Sequence, residues 1–555
     1  MTPIPLPLLL AATLTGTTFA VAPSTDDDPR PRPNIVFIMA DDHCMQAISC
    51  YGASAGPGVV ETPGIDRIAR EGMRFDRASV TNAICGPSRA TILTGKHCHR
   101  HGFATNGQRF DGSQQTFPKL LQQAGYRTEV VGKWHLSSPP SGFDRSEVLV
   151  GQGDYWNPLL VVDGERSRRE GHTTDLIHDA AVARLEALAA ADANHDGDDD
   201  GDDTPPFLLM VHHKAPHRNW MPHPRHLDLF TDGDLPVPDS FFDAPDRRSP
   251  AGAIQTMRID RDLAWLYDLK IDPTTLHPDE EVSRLDRWMA NELARVPQEA
   301  LDAYDEAHRE ENAALAAAIE DMSPRDLALW KFQRYAKNYL RTAQGVDDSV
   351  GGILEALDRL GLADDTIVVY TSDQGWYLGE QGWYDKRWMY EPSFRTPLLV
   401  RWPGVVEPGS ISDALAQNLD FASTFLEAAG IEPPADLQGR SLLPVLRGES
   451  GADETLRDAA YYRFEESRGA HTVPRHEGVA TRDAKLIRHL DLLDERGESI
   501  LELYRLDVDP EERDNLAGRP EHADLQRRML ERLEALRKHY DAPENVPASA
   551  PDRDI

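Results

Sequence analysis

Asn34-Ile35-Val36-Phe37-Ile38-Met39-Ala40-Asp41-Asp42 is the stretch on which the fold reading turns. A nearly continuous apolar run ended by two aspartates describes a β-strand buried on both faces, because a strand with one wet face would alternate. Similar runs recur at Arg127–Val131, Phe207–Val211, Thr366–Thr371 and Pro397–Val400. Helical spacing separates them, first at Ile177, Ala181, Leu185 and Leu188, later at Val350, Ile353, Leu354 and Leu357. This alternation predicts an α/β fold, a large, mostly parallel sheet sandwiched by helices. Leu285–Leu360 is expected to be largely helical and to cover one side. From Leu456 the apolar stretches shorten (Gly478–Ala480, Leu486–Ile487, Glu502–Tyr504), and one helix with Leu525, Met529, Leu533 and Leu536 on a single face follows. That texture predicts a small α+β C-terminal subdomain. The expected divisions are an export signal over 1–22, a large domain over 33–450 and the subdomain over 455–541, with no internal repeat.

Composition narrows the partners. The 555 residues hold 93 acidic and 59 basic side chains, a net charge of −34. Such a chain repels nucleic acid and anionic membranes, so neither is an expected partner, and any anionic ligand needs a local cationic pocket. With 40% hydrophobic and 27% charged residues the chain is not wholly disordered. Four cysteines exclude a disulfide-built scaffold. Pro5–Ala22 is uncharged, with Leu8–Ala12 as an apolar centre and Ala20-Val21-Ala22 as a cleavage-like end. It reads as an export signal although no Lys or Arg precedes it, and places the mature protein in a periplasm or outside the cell. Asp192–Asp203 (DANHDGDDDGDD) has the spacing of a calcium loop with Gly197 at the sixth position. Asp203 stands where a longer Glu belongs, and Thr204-Pro205-Pro206 and a strand follow instead of a helix, so the segment reads as an acidic, solvated insertion.

Two acidic clusters follow predicted strands, at the sheet end where open α/β folds bind ligands. Asp41-Asp42 ends the first strand, and Asp373-Gln374-Gly375 follows Thr366–Thr371. Carboxylate and amide oxygens without clustered Cys or His favour Ca²⁺ or Mg²⁺ over Zn²⁺. Two further stretches decide the chemistry. Ala83–Gly95 reads AICGPSRATILTG, with a C-x-P-S-R core at Cys85–Arg89, and Gly125–His135 reads GYRTEVVGKWH. Both resemble signatures of the formylglycine-dependent sulfatases of the alkaline-phosphatase-like superfamily. Lys214-Ala215-Pro216-His217, Asp373-Gln374-Gly375, Gly379-Glu380 and Lys386-Arg387 follow in the family's order. The resemblance runs from Asn34 to about Arg447 and continues into the C-terminal module.

The resemblance implies that Cys85 is oxidised to formylglycine (3-oxoalanine) by a maturation enzyme, and that the hydrated aldehyde is the nucleophile. It implies Asp41, Asp42, Asp373, Gln374 and the modified Cys85 as ligands of Ca²⁺, with Mg²⁺ the alternative. Arg89 would orient the nucleophile, and Lys133 and Lys386 would hold sulfate oxygens. His217, with Lys386 beside it, would protonate the leaving oxygen, and His135 would take the proton whose loss expels sulfate. KAPHRNWMP (214–222) and GEQGWYDKRWMYEP (379–392) resemble exported bacterial enzymes acting on sulfated sugars, including N-acetylglucosamine-6-sulfate units of mucin or heparan-type glycans. A sulfated saccharide is thus the expected substrate, and Trp220, Trp376, Tyr377, Trp383, Tyr384 and Trp388 are expected to stack on its rings. Alternatives are a phosphate or phosphonate monoester hydrolase of the same superfamily and an inactive carbohydrate- or calcium-binding relative; the latter would have degraded catalytic positions, and here each is filled. Cys44, Cys50 and Cys98 have no assigned role, and their pairing stays open.

Overall fold

The computed structural model describes residues 32–52, 60–193, 205–276, 281–467 and 469–543. The expected export signal and residues 194–203 of the acidic insertion lie outside the described residues. The first ten strands are β1 (Asn34–Ala40), β2 (Met73–Phe75), β3 (Arg127–Lys133), β4 (Arg145–Leu149), β5 (Leu159–Val162), β6 (Glu165–Arg168), β7 (Phe207–His212), β8 (Thr366–Ser372), β9 (Leu398–Arg401) and β10 (Ser410–Ser412). They form one sheet in the order β10-β2-β9-β8-β1-β7-β3-β4-β5-β6. The central run β8-β1-β7-β3-β4 is parallel, as expected. The Pro397–Val400 run does form a strand, β9, but it lies antiparallel to β8. The antiparallel β5 and β6 finish the other edge.

Strand β1 shows why its sequence is continuously apolar. Ile35, Phe37 and Met39 pack on one face with helices α2 (Cys85–Thr94), α3 (Phe117–Gln123) and α6 (Asp420–Ala428). Val36, Ile38 and Ala40 pack on the other with α1 (Pro63–Glu71), α4 (Thr173–Ala193) and α5 (Pro324–Leu360). Each large apolar side chain fully buried this way stabilises by about 1.5–3 kcal/mol over its exposed state. The 285–360 region is helical as expected, built from Arg284–Leu293, Gln298–Ala318 and α5. Ser323 caps α5 by accepting from the Asp326 N–H, with Pro324 at the first helical position.

Register places the site. Ala40 pairs with Ser372 and Met39 with His212, so β1, β7 and β8 end side by side. Their next residues leave the sheet together, Asp41 from one and Asp373 from another.

The C-terminal part is an antiparallel sheet of β11 (Ala460–Phe464), β12 (His476–Ala480), β13 (Ala484–Leu493) and β14 (Ser499–Arg505). Helix α7 (Ala523–His539) packs Met529, Leu533 and Leu536 on one face, against Leu486 and Leu503. The other face carries Tyr462, Phe464, Ile487 and Tyr504, which cluster with Ile84, Trp383, Trp388 and Tyr390. That face therefore roofs the loops that lead to Lys386 and Cys85.

Candidate active site

Asp42 turns back from β1 with a left-handed φ of 68°, and its N–H donates to Asp373 Oδ1 at 3.1 Å. Cys85 opens α2, all ten residues of which are buried. Gly86 cannot carry a side chain, because a Cβ there would sit 2.5 Å from the Phe103 ring. The Cys85 thiol lies 3.4 Å from Asp41 Oδ1 and accepts from Lys386 Nζ at 3.1 Å. One turn on, Arg89 donates Nε to Asp373 Oδ2 (3.0 Å), Nη2 to Asp41 Oδ2 (3.1 Å) and Nη1 to the Lys133 carbonyl (2.6 Å). Lys133, ending β3, pairs with Asp41, and Lys386 pairs with Asp42. His217 donates Nδ1–H to the Arg218 carbonyl and sets Nε2 3.8 Å from Asp42 Oδ2. Gln374 donates Nε2–H to Asp373 Oδ1 at 2.7 Å. His135 follows Lys133 by two residues and has a left-handed φ of 55°. The ten residues expected from sequence thus converge at one end of the sheet.

The local field is set by burial. Burial raises Asp42 to about 7 against the pull of Lys386, with Asp41 and Asp373 pushing the same way. Burial and the Asp41 charge raise Asp373 to about 6. Asp41 resists the same burial because Lys133 and Arg89 hold it well below the usual carboxylate range. Burial, then Lys133, holds His135 and His217 well below an ordinary imidazole. Burial and the Asp41 charge push the Cys85 thiol up to about 12. An unmodified Cys85 is protonated at neutral pH and a weak nucleophile.

The donor set fits a hard divalent cation. Asp41, Asp42 and Asp373 each place an oxygen within 4.8 Å of the others. Asp42 Oδ2 and Gln374 Oε1 are buried acceptors without a hydrogen-bond partner, and such orphans in a dry site call for a cation. Three carboxylates here face three cations, Arg89, Lys133 and Lys386.

Residues 33–431 match the sulfatase family, and residues 379–539 match the C-terminal region of N-sulphoglucosamine sulphohydrolase. The chain belongs to the sulfatase family. Among its relatives, the sulfatase is 43% identical over 510 residues to an N-acetylglucosamine-6-O-sulfatase of Bacteroides thetaiotaomicron, covering 91% of this chain and 86% of that one. It is similar to a solved protein in complex with its substrate D-glucosamine-2-N,6-O-disulfate, with 43% identity, a TM-score of 0.83, and 93% and 99% of the two chains covered. A phosphonate monoester hydrolase from Silicibacter pomeroyi shares the fold at 19% identity and a TM-score of 0.66, covering 92% of this chain and 96% of that one.

The aromatic expectation is corrected by this sulfatase's structure. Trp220, Trp376, Tyr377, Trp383, Tyr384 and Trp388 are at most 1% exposed, so none is a platform for a sugar ring. Trp220 and Trp376 pack on Tyr335 and Tyr339 of α5, while Trp383 and Trp388 lie under the C-terminal sheet. The charged stretch Asp385–Arg387 is buried too. Asp385 accepts from Arg387 and faces His471 Nε2 at 3.2 Å, a polar group bordering Lys386 that sequence reading missed. No spacing links His471 to Asp385, because the two meet only when the C-terminal sheet closes over the loop. All four cysteines are free.

Proposed function

We propose that this sulfatase removes the 6-O-sulfate of N-substituted glucosamine units in sulfated saccharides. The carrying observation is Cys85 at the head of a buried helix, among three carboxylates, three cations and two orphaned oxygen acceptors. A divalent cation added to that balance leaves two positive charges in excess. A monoanionic sulfate ester and one deprotonated nucleophile match this excess, whereas a dianionic phosphate monoester overshoots it. The position on the sugar follows the 43% identical relative named as a 6-O-sulfatase.

Asp41, Asp42, Asp373 and Gln374 would hold the cation, Ca²⁺ with Mg²⁺ as the alternative, which supplies Lewis-acid charge to the sulfuryl oxygens. Conversion of Cys85 to formylglycine would supply a hydrated aldehyde, whose chemistry is a nucleophilic hydroxyl beside a second hydroxyl that allows release of sulfate. Arg89, locked by Asp41 and Asp373, orients that group, and Asp373 takes its proton. Lys133 and Lys386 hold sulfate oxygens. His217, as the imidazolium, delivers its Nε2 proton to the sugar oxygen, and His135 accepts the proton lost at the second hydroxyl. Cys85 is 1% exposed, so the maturation enzyme must reach it before α2 is enclosed. The Pro5–Ala22 run supports export to the compartment where such glycans occur.

Assay of the mature protein against defined sulfated mono- and disaccharides tests the reading. Sulfate release is expected from glucosamine bearing a 6-O-sulfate and not from the same sugar sulfated only at nitrogen. Faster turnover of an aryl phosphonate monoester than of any sulfated sugar would replace it with the hydrolase alternative.

A further inference from the structure

The ring of His217 is aimed by its neighbour. Its Nδ1–H is donated to the carbonyl of Arg218, which leaves Nε2 as the nitrogen facing the carboxylate centre. The Arg218 side chain is itself locked. Nε and Nη2 each lie 2.6 Å from an oxygen of Asp268, a planar two-point fork that a lysine could not reproduce. The guanidinium is flanked by the rings of Tyr267 at 5.1 Å and Tyr384 at 4.9 Å. Asp268 is fully buried and accepts from the Ala264 N–H at 2.8 Å, so its own turn holds it in place. Tyr384 donates to the Asp262 carbonyl at 3.1 Å and stands two residues before Lys386. Tyr155 adds a hydrogen bond of 2.6 Å to the His217 carbonyl.

We propose that Arg218 and Asp268 are positioning residues for proton delivery by His217, acting from the 259–272 segment through the Arg218 carbonyl. A carbonyl on Nδ1–H fixes Nε2 as the nitrogen that meets the reacting oxygen, and holds the ring's orientation while the Nε2 proton is delivered. This inference rests on His217 serving as the acid of the proposed reaction. A sugar oxygen leaves poorly without a proton, whereas a nitrophenolate needs little help, so misaiming the ring selectively slows the former.

The test measures kcat and KM of fully matured, cation-loaded Arg218→Lys and Asp268→Asn on 6-O-sulfated glucosamine and on nitrophenyl sulfate. Arg218→Lys keeps the charge and loses the fork. The expected loss of kcat on the sugar is about 10- to 100-fold, with KM changed by no more than about threefold and a much smaller loss on nitrophenyl sulfate. Adding Arg218→Lys to His217→Ala should cost nothing further on the sugar. Equal losses on both substrates, additivity with His217→Ala, or a change confined to KM would overturn the inference; the last would make Arg218 a substrate-binding group. Should Arg218→Lys melt below the assay temperature, Asp268→Asn with the same double-variant comparison decides. Failure of the underlying reading looks different: the parent releases no sulfate from the sugar, or His217→Ala alone slows both substrates equally.

Discussion

Lys386 Nζ lies 3.1 Å from Cys85 Sγ, although 301 residues of chain separate them. The contact joins the head of α2 to the loop that follows β8, and in the proposed reaction it sets a cation beside the nucleophile. Cys85→Ala should abolish turnover and leave the melting temperature near that of the parent, because a small buried side chain replaces another. In active preparations the Cys85 peptide should show the mass loss of thiol-to-aldehyde conversion. Full activity with only unmodified cysteine there would refute the role given to this residue.

Cation removal should have a pH-dependent cost. Burial raises Asp42 to about 7 and Asp373 to about 6, so the cation-free fold holds their protons below those values and loses that stabilisation as pH rises through them. The cation needs both carboxylates deprotonated, so its binding strengthens over the same window. The melting-temperature gap between Ca²⁺-loaded and chelated protein should therefore widen from pH 5 to pH 8. At a hundredfold excess over Kd the cation stabilises by about 2.7 kcal/mol. A gap that stays constant with pH would contradict these ligands.

His217→Ala should slow turnover on the order of 10²–10⁴-fold on a sulfated sugar and markedly less on nitrophenyl sulfate. Arg89→Ala should harm both alike, since in the proposed reaction it orients the nucleophile common to both. Equal slowing by His217→Ala would transfer the acid role to Lys386, whose ammonium is also directed at the centre.

Tyr462 tests the roof. Its hydroxyl donates to the Arg387 carbonyl at 2.6 Å and accepts from the Ala83 N–H at 3.2 Å. Tyr462→Phe leaves both backbone groups buried without that partner, which should cost about 1–3 kcal/mol of stability. Thermal melting should show the loss, and kcat should fall with it; an unchanged melting temperature would mean the bridge carries no weight.

Strands β1, β7 and β8 were legible in sequence because parallel strands covered on both faces are written as near-continuous apolar runs, whereas β3 (RTEVVGK) offered only Val130-Val131. The metal-type carboxylates were legible because they follow those strands directly. Strands β2 and β10 are three residues each, β4 (RSEVL) and β6 (ERSR) are largely polar, and the four-residue LLVV of β5 is too short to stand out. The aromatics misled for a related reason. A Trp-rich loop reads alike whether it stacks on a ligand or on its own protein, and here the C-terminal sheet decides for the protein. The Arg218–Asp268 fork had no signal, since its partners stand fifty positions apart and only the tertiary fold brings them together.

The Tyr462 bridge spans 379 residues back to Ala83 and 75 back to Arg387. Contacts of such sequence separation close late, because their loop entropy is met before they return any stability. During synthesis the chain has then emitted every proposed catalytic side chain before the strand that ties Lys386 to the Cys85 helix exists. A product truncated before Ala460 should carry the full set of catalytic residues and turn over nothing. The order of emergence also gives Cys85 an interval outside the finished interior, whose length is set by how fast the last hundred or so residues follow.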